Sequence, residues 1–540
     1  MAFDWTNPYR TIRAPVFARN VVATSQPLAA QAGLRMLLDG GNAVDAILAA
    51  AAMLTIVEPV SNGLGGDAFA ILWDGQRLHG LNSSGTAPAA WNPEFFRRRH
   101  GEDDRGFAKI PLRGWDTVTV PGAVAAWEAL HERFGVLPLR RILEPAASVA
   151  ERGVTVTPIT ATQWESADPG LRDQPGWAQT FMPGGRAPKA GEKFVFPGAG
   201  RLLRHLAEKG LREFYDGAVA EAVGAWAKKT GGALTAEDMC GFRPEWVEPI
   251  SVEYRGYELH EIPPNGQGIA ALMALGILRH FDLASLGPDS PQSQHLQIEA
   301  MKLAFADIRR YVGDPKTMTV TPRQMLDPDY LALRAKSIDH RRASFPGPGL
   351  FPSGGTVYLT AADEKGMMVS FIQSNYMGFG SGVVEPEYGI SLQNRGTGFS
   401  ADPASANVVA PGKRPFHTII PAFLTQSGKP RMSFGVMGAD VQPQGHVQTL
   451  IRMVDYRQQP QAACDAPRFK INRDFSVNIE SRAHPSLPSA LENMGHKIHI
   501  DPVYHGESGS GQFIWRLSDD PGHGYVAASD TRRDGCACGF

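Results

Sequence analysis

Ser344-Phe-Pro-Gly-Pro-Gly-Leu-Phe-Pro-Ser-Gly-Gly355 runs directly into Thr356-Val-Tyr-Leu-Thr-Ala-Ala-Asp363. Proline and glycine keep the first stretch out of regular structure, whereas the β-branched and aromatic residues after Gly355 favour an extended, half-buried strand. A hydroxyl therefore stands at the strand's first residue. If the Gly355–Thr356 bond is cut, Thr356 carries both a nucleophilic hydroxyl and a free α-amine, whose unperturbed pKa of roughly 7.7–8.0 suits a general base near neutrality. The same residues also fit an ordinary loop-to-strand junction that begins with threonine, and this segment by itself leaves both readings open.

At 540 residues and 43% hydrophobic, the chain can bury a large core. Nothing like a linker, charge block, low-complexity tract or repeat divides it, so one large fold with insertions is expected rather than separate modules. Lys+Arg 53 against Asp+Glu 55 leaves a net charge of −2, which gives no electrostatic case for nucleic acid or an anionic membrane surface. The start of the chain has no apolar signal-peptide core, so a cytoplasmic protein beginning near Met1 is expected. The apolar run Ala46 to Val57 is too short for a membrane span. Four cysteines, Cys240, Cys464, Cys536 and Cys538, are too few and too scattered for a disulfide framework. Cys536-Ala-Cys538 without further ligands reads as a pair of tail thiols rather than a metal site.

Ser25, with Pro27 in the first turn, is expected to cap a helix over Leu28–Leu38. Gly40-Gly41 ends it, and Asn42 caps a second helix over Ala43–Val57. Ser61-Asn-Gly-Leu-Gly-Gly-Asp67 precedes a strand at Ala68–Trp73. It lacks the Lys-Ser/Thr of a phosphate loop, so its glycines are read as sites of close backbone packing. Further helices are expected at Gly122–Phe134, Gly200–Lys209, Glu221–Thr230, Gly268–Leu278 and Gln292–Tyr311. Strands are expected at Val357–Ala362, Met368–Ser374, Ile419–Leu424 and Phe513–Leu517. The part before Thr356 thus reads as helix-rich and the part after it as strand-rich.

Five segments carry a resemblance. Val118-Thr-Val-Pro-Gly-Ala-Val124, Pro263-Pro-Asn-Gly-Gln-Gly268, Ile298-Glu-Ala-Met-Lys-Leu-Ala-Phe-Ala-Asp307, Gly313-Asp-Pro315, and Ala528-Ser-Asp530 followed by Arg532 resemble, in order and across nearly the whole chain, the gamma-glutamyltranspeptidase family. The resemblance implies an α+β fold, the αββα four-layer sandwich of N-terminal-nucleophile hydrolases. It also implies a precursor that cuts itself before a threonine, and Thr356 falls on that position. The products would be a large fragment, 1–355, and a small one, 356–540, together forming one fold, with further dimerisation left open. Autocleavage needs the Thr356 hydroxyl to attack the Gly355 carbonyl, and Gly354-Gly355 provide backbone without side chains in the way. The same hydroxyl would then form an acyl-enzyme with a substrate amide, resolved by water or an acceptor amine. Gly435-Val-Met-Gly438-Ala439-Asp440 resembles the family's oxyanion loop, which assigns the N–H groups of Gly438 and Ala439 to the tetrahedral intermediate. Ser374 lies where the family keeps a threonine near the catalytic amine, although a self-bonded strand serine is an equal reading.

The chain also departs from the family. Where the family's Arg-Glu-x-Ala-Pro motif holds the substrate α-carboxylate, this chain has Ser84-Gly-Thr-Ala-Pro88. Tyr376 stands for an asparagine, Gly398 for an acidic residue, and His417-Thr418 for paired serines. Arg395, within Gln393-Asn394-Arg395-Gly396, replaces a substrate-contacting glutamine. Its guanidinium offers a two-pronged fork for a carboxylate, or else pins a loop through a salt bridge. Arg395, Tyr376, Asn394, His417 and Thr418 are accordingly the candidate substrate contacts, with His417 equally readable as a core histidine. The pattern is closer to the branch that includes oxamate amidohydrolase and cephalosporin acylase-like proteins than to glutathione-cleaving members, although a true gamma-glutamyltransferase stays as an alternative. No G-x-S-x-G elbow, H-E-x-x-H or paired C-x-x-C is present, so neither a serine nor a metal hydrolase is expected, and no cofactor is called for. The rival of another class is an uncut, non-catalytic binding protein.

Overall fold

The computed structural model describes residues 9, 13–346, 355–501 and 508–540. The glycine- and proline-rich stretch 347–354, on which the reading of Gly354 depends, and the first residues of the chain lie outside these. Two seven-stranded sheets dominate. The first runs Cys536–Gly539, Val21–Thr24, Gly355–Ala362, Met368–Tyr376, Asp67–Trp73, Leu78–Ser83, Glu245–Val247, and the second runs Val16–Ala18, Tyr525–Ser529, Ser510–Arg516, Lys429–Met437, Ala422–Gln426, Tyr257–Glu261, Ile250–Tyr254. Every neighbouring pair is antiparallel.

The sheets face each other across a middle layer that includes Phe69, Ile71, Tyr358, Ile372, Phe423, Met437 and Ile514. Helices Pro27–Leu38, Ala43–Val57, Ala123–Phe134 and Leu139–Arg152 pack on the outer face of the first sheet. Ile269–Leu278, Pro291–Tyr311 and Val441–Val454 pack on the outer face of the second. The order of layers is therefore αββα. Because both faces of the central strands are covered, Met368–Tyr376 and Asp67–Trp73 are buried at every position. Such strands read as continuous runs rather than as alternating patterns. Ala43–Val57 is likewise buried along its whole length, and its run of alanines lets it sit between the sheet and a second helical tier.

Most expected elements are present with shifted ends. Asn42 caps its helix through a full capping box with Asp45. Gln26, not Ser25, caps the first helix, because the Ser25 hydroxyl is spent on Glu58 Oε2 at 2.6 Å. The strand expected from Ile419 begins at Ala422, since Ile420 N–H is taken by the side chain of Gln442 instead of a neighbouring strand. Strands from the part before Thr356 make up four of seven in the first sheet and three of seven in the second. Strands of both parts thus interleave in each sheet, while most helices precede Thr356 and the part after it is mainly strand. Among the described residues no helix is long and apolar enough to cross a membrane.

Candidate active site

Thr356 faces its neighbouring strand at an irregular step. Gly355 pairs with Tyr376 and Val357 with Gln373, so two residues, Ser374 and Asn375, oppose Thr356 alone. A bulge of this kind bends the strand and re-aims its side chains. Here the buried Thr356 hydroxyl donates to Ser374 Oγ at 3.3 Å. Ser374 Oγ also accepts the Tyr376 N–H at 2.7 Å. Tyr376 then leaves the strand at φ +77°, a conformation that is costly for a bulky residue and is held by what surrounds it. On the far side Gln442 Nε2 lies 3.5 Å from Thr356 Oγ1, at the edge of hydrogen-bonding range.

Gly438 and Ala439 join the strand Lys429–Met437 to the helix Val441–Val454, at φ +129° and +51°. The Ala439 carbonyl accepts from Gln267 Nε2 at 2.8 Å and from the Gln442 N–H at 3.2 Å, which fixes the turn. Among the described residues, neither the Gly438 N–H nor the Ala439 N–H donates to a protein acceptor. Two unspent donors stand where a helix begins, and the helix dipole favours negative charge there.

Arg395 opens a short 3₁₀ turn and is 1% exposed. Its guanidinium lies over the Tyr376 ring, 4.2 Å from the centroid, and Nη1 donates to Thr418 Oγ1 at 2.8 Å. Among the described residues Nε and Nη2 have no hydrogen-bond partner. Burial lowers its pKa to about 10 against the pull of Asp67 and Tyr376, so it remains a cation near neutrality. A buried cation with two unspent donors is expensive unless an anion completes it.

His417 and Asn394 stand behind this wall with their polar atoms spent. His417 Nε2 meets Asp67 Oδ2 at 3.1 Å, and Nδ1 accepts the Ile419 N–H at 3.3 Å. Burial, helped by Arg395 and opposed by Asp67, drives the His417 pKa to about 3. The ring is neutral, with its proton on Nε2 facing the carboxylate. Asp67 Oδ1 accepts from Gln393 Nε2 and from the Gly122 N–H, both at 2.9 Å. Asn394 Oδ1 accepts the Met377 N–H and its Nδ2 donates to Leu112 O. Of the candidate substrate contacts, Arg395, Tyr376 and Thr418 thus form one contiguous cluster, while His417 and Asn394 support it.

Of the quoted sequence segments, 118–124 and 263–268 reach this site. A Cβ on Gly66 would lie 2.6 Å from Ser374 O and one on Gly65 2.4 Å from Ser391 O, so the Ser61–Asp67 loop is a close-packing device as read. Gly122 meets Ser83 O in the same manner. Asn265 binds Ser84 Oγ and Pro415 O, and Gln267 bridges Thr418 O and Ala439 O. Asp314 accepts the Arg414 N–H, and Asp530 pairs with Arg468 and Arg532. At the departures from the family, Ser84 lends its carbonyl to Arg414 Nε, and a Cβ on Gly398 would lie 2.8 Å from Phe416 O. The Arg414 guanidinium beside Ser84 is itself paired with Glu245 at 2.8 Å. Gln442, Asp67 and Gln267 were not singled out from the sequence. Gln267 sits inside a quoted segment and Gln442 follows another by two residues, and that proximity is the only signal that pointed to them.

Away from the site, His295, Glu299 and His496 bring three metal-capable atoms within 4.8 Å of one another. Lys302 Nζ, 2.9 Å from Glu299 Oε1 and 3.2 Å from His496 Nδ1, already fills the cation's role there.

A family model described as gamma-glutamyltranspeptidase matches residues 29–540. The chain is 33% identical over 536 residues to the glutathione hydrolase-like YwrD proenzyme of Bacillus subtilis, covering 98% of this chain and 100% of that protein. It is 35% identical over 527 residues to the oxamate amidohydrolase proenzyme of Klebsiella pneumoniae, covering 95% and 97%. The crystal structure of cephalosporin acylase from Bacillus halodurans superposes with a TM-score of 0.91 at 46% identity, over 100% of this chain and 99% of that one. The two sheets between helical layers are thus the sandwich of N-terminal-nucleophile hydrolases.

Proposed function

The chain belongs to the gamma-glutamyltranspeptidase family, and on that premise we propose that Thr356 is the nucleophile of a self-processing amidohydrolase that removes a small, carboxylate-bearing acyl group from an amide. The observation that carries this is the strand bulge at Thr356, which sets its hydroxyl against Ser374 Oγ at 3.3 Å beside the unspent N–H groups of Gly438 and Ala439.

In processing, Thr356 Oγ attacks the Gly355 carbonyl carbon. The peptide nitrogen leaves as the Thr356 amine, and water hydrolyses the resulting ester, releasing fragments 1–355 and 356–540. In turnover the amine takes the proton from Oγ as it attacks the substrate carbonyl. The oxyanion is received by the Gly438 and Ala439 N–H groups, and the proton passes to the departing amine as the acyl-enzyme forms. Water activated by the same amine then frees the acid. Ser374 holds the hydroxyl in line, and Arg395, with Nε and Nη2 unspent, receives the acyl carboxylate. The relatives' names, oxamate amidohydrolase and cephalosporin acylase, favour acyl groups of this kind. Ser84 and Gly398 themselves offer no charge to the α-carboxylate and α-ammonium of a gamma-glutamyl group, and Arg414 beside Ser84 is engaged by Glu245.

The test is turnover of oxamate and a glutaryl amide against a gamma-glutamyl amide by the purified protein, with Thr356→Ala as the inactive control. Preference for the first two is expected. Efficient gamma-glutamyl hydrolysis that survives Arg395→Ala would assign recognition to other residues.

A further inference from the structure

The chain ends in an edge strand, Cys536–Gly539, which pairs antiparallel with Val21–Thr24 and closes one side of the first sheet. Cys536 lies opposite Thr24 and Cys538 opposite Val22. Being two residues apart they share a face, and Ala537 between them packs into the layer between the sheets. Both thiols therefore lie on the outer face, half-buried, outside any disulfide and near enough for one S–H to point at the other sulfur. The strand is fixed at its end. Phe540 N–H donates to Asn20 O, and Phe540 O accepts the Arg19 and Asn20 N–H groups, all at 3.0 Å. A Cβ on Gly539 would lie 2.4 Å from Asn20 O. At the strand's start, Arg13 gathers the carbonyls of Ser529, Asp530 and Arg533 in the preceding turn. Among the described residues, its guanidinium is the one charged group within electrostatic reach of the pair.

Spacing decides what such a pair can do. Residues two apart on a strand are separated by roughly 6.6 Å, whereas a disulfide draws its Cβ atoms to about 3.8 Å. Closing one here would pucker a strand that is pinned at both ends. A metal ion makes no such demand, because two metal–sulfur bonds of about 2.3 Å hold the sulfurs roughly 4–4.6 Å apart. Charge and ligand count then select the ion. Among the described residues no histidine or carboxylate joins the two thiols in a ligating cluster, so an ion that requires four donors, or oxygen donors, is not served. Two thiolates around a monovalent cation leave one negative charge, which Arg13 balances; around a divalent cation they leave none, and Arg13 would only oppose it. We propose that Cys536 and Cys538 form a two-coordinate site for a soft monovalent cation, Cu(I) being the ion of that class. Binding releases both thiol protons to solvent and leaves the oxidation state of the ion unchanged.

The test loads the purified, fully reduced protein with Cu(I) in the absence of oxygen and challenges it with a chromogenic Cu(I) chelator. The wild type should retain one Cu(I) per molecule, as should Cys240→Ser, whose thiol is exposed elsewhere on the surface. Cys536→Ser and Cys538→Ser should each weaken retention by about a hundredfold or more, since one thiolate does not complete a two-coordinate site. Arg13→Gln should weaken it by about tenfold, the worth of one partly screened charge, and Arg13→Lys should recover most of that. X-ray absorption at the copper edge should show two sulfur neighbours and no nitrogen or oxygen. Loss of the ion from the wild type to the chelator, undiminished retention by either serine variant, or equally tight binding of Zn(II) would overturn the site. Ready closure of the pair by a low-molecular-weight disulfide, read as a mass lower by the two thiol hydrogens, would overturn it as well, because the strand would then bend freely between the two residues.

Discussion

On the proposed reading Thr356, Ser374 and Arg395 carry the chemistry, and each makes a separable demand. Losing the Ser374 hydroxyl removes the partner of Thr356 Oγ1 and the acceptor of the Tyr376 N–H together. Ser374→Ala is therefore expected to slow both self-cleavage and turnover by about tenfold or more, at roughly 1–2 kcal/mol per lost hydrogen bond. The time course of the two fragments on a gel measures the first effect and initial rates the second; unchanged rates would leave Ser374 a bystander. His417 makes the opposite prediction. Its ring is buried and neutral, with a pKa of about 3, so it does not titrate where the Thr356 amine does. The acid limb of the kcat/KM profile should keep its position in His417→Asn, even if the rate falls; a displaced limb would make His417 the titrating base. Its effect on stability has a definite sign. With a folded pKa below the unfolded value near 6.5, the stability it lends is whole above about pH 6.5 and drains as the pH falls toward 3.

At the level of elements, the bulge opposite Thr356 is the device the sequence does not announce. Nothing in Ser374-Asn375-Tyr376 marks two residues as sharing one partner, because a bulge is set by how a strand registers against its neighbour. The loop behind it was more legible. Three glycines in Ser61–Asp67 signalled close packing, and they meet the backbones of Ser374, Ser391 and Leu392. Gly66→Ala should press a methyl group against Ser374 O and cost about 1–3 kcal/mol, read as a lowered Tm together with slower self-cleavage. A variant as stable and as quickly processed as the wild type would show that the loop does not position Ser374. Helices with capped, periodic starts, such as Ala43–Val57, were found nearly to the residue. The strand beginning at Ala422 was misplaced by three, since Gln442 on a distant helix takes the backbone bond that would have lengthened it. The roles of Asp67 and Gln442 were hidden for the same reason, as each depends on partners that only the tertiary fold supplies.

In the whole molecule, the interleaving of strands from both sides of Gly355 has a physical consequence. Val21–Thr24 and Asp67–Trp73 flank the pair Gly355–Ala362 and Met368–Tyr376, and Tyr257–Glu261 pairs with Ala422–Gln426. Cutting one bond leaves these ladders and the three core layers intact. The fragments are expected to elute together on native size exclusion and to part only in denaturant; separation under native conditions would contradict the shared fold. The central claim is that the chain makes its own nucleophile at Thr356. Intact mass and N-terminal sequencing of the purified wild type, beside Thr356→Ala, test it most directly. The account predicts two fragments, 1–355 and 356–540, the second beginning Thr-Val-Tyr-Leu, and a single uncut chain for the variant. A small fragment with any other first residue, or a wild type that hydrolyses amides while still uncut, would contradict it.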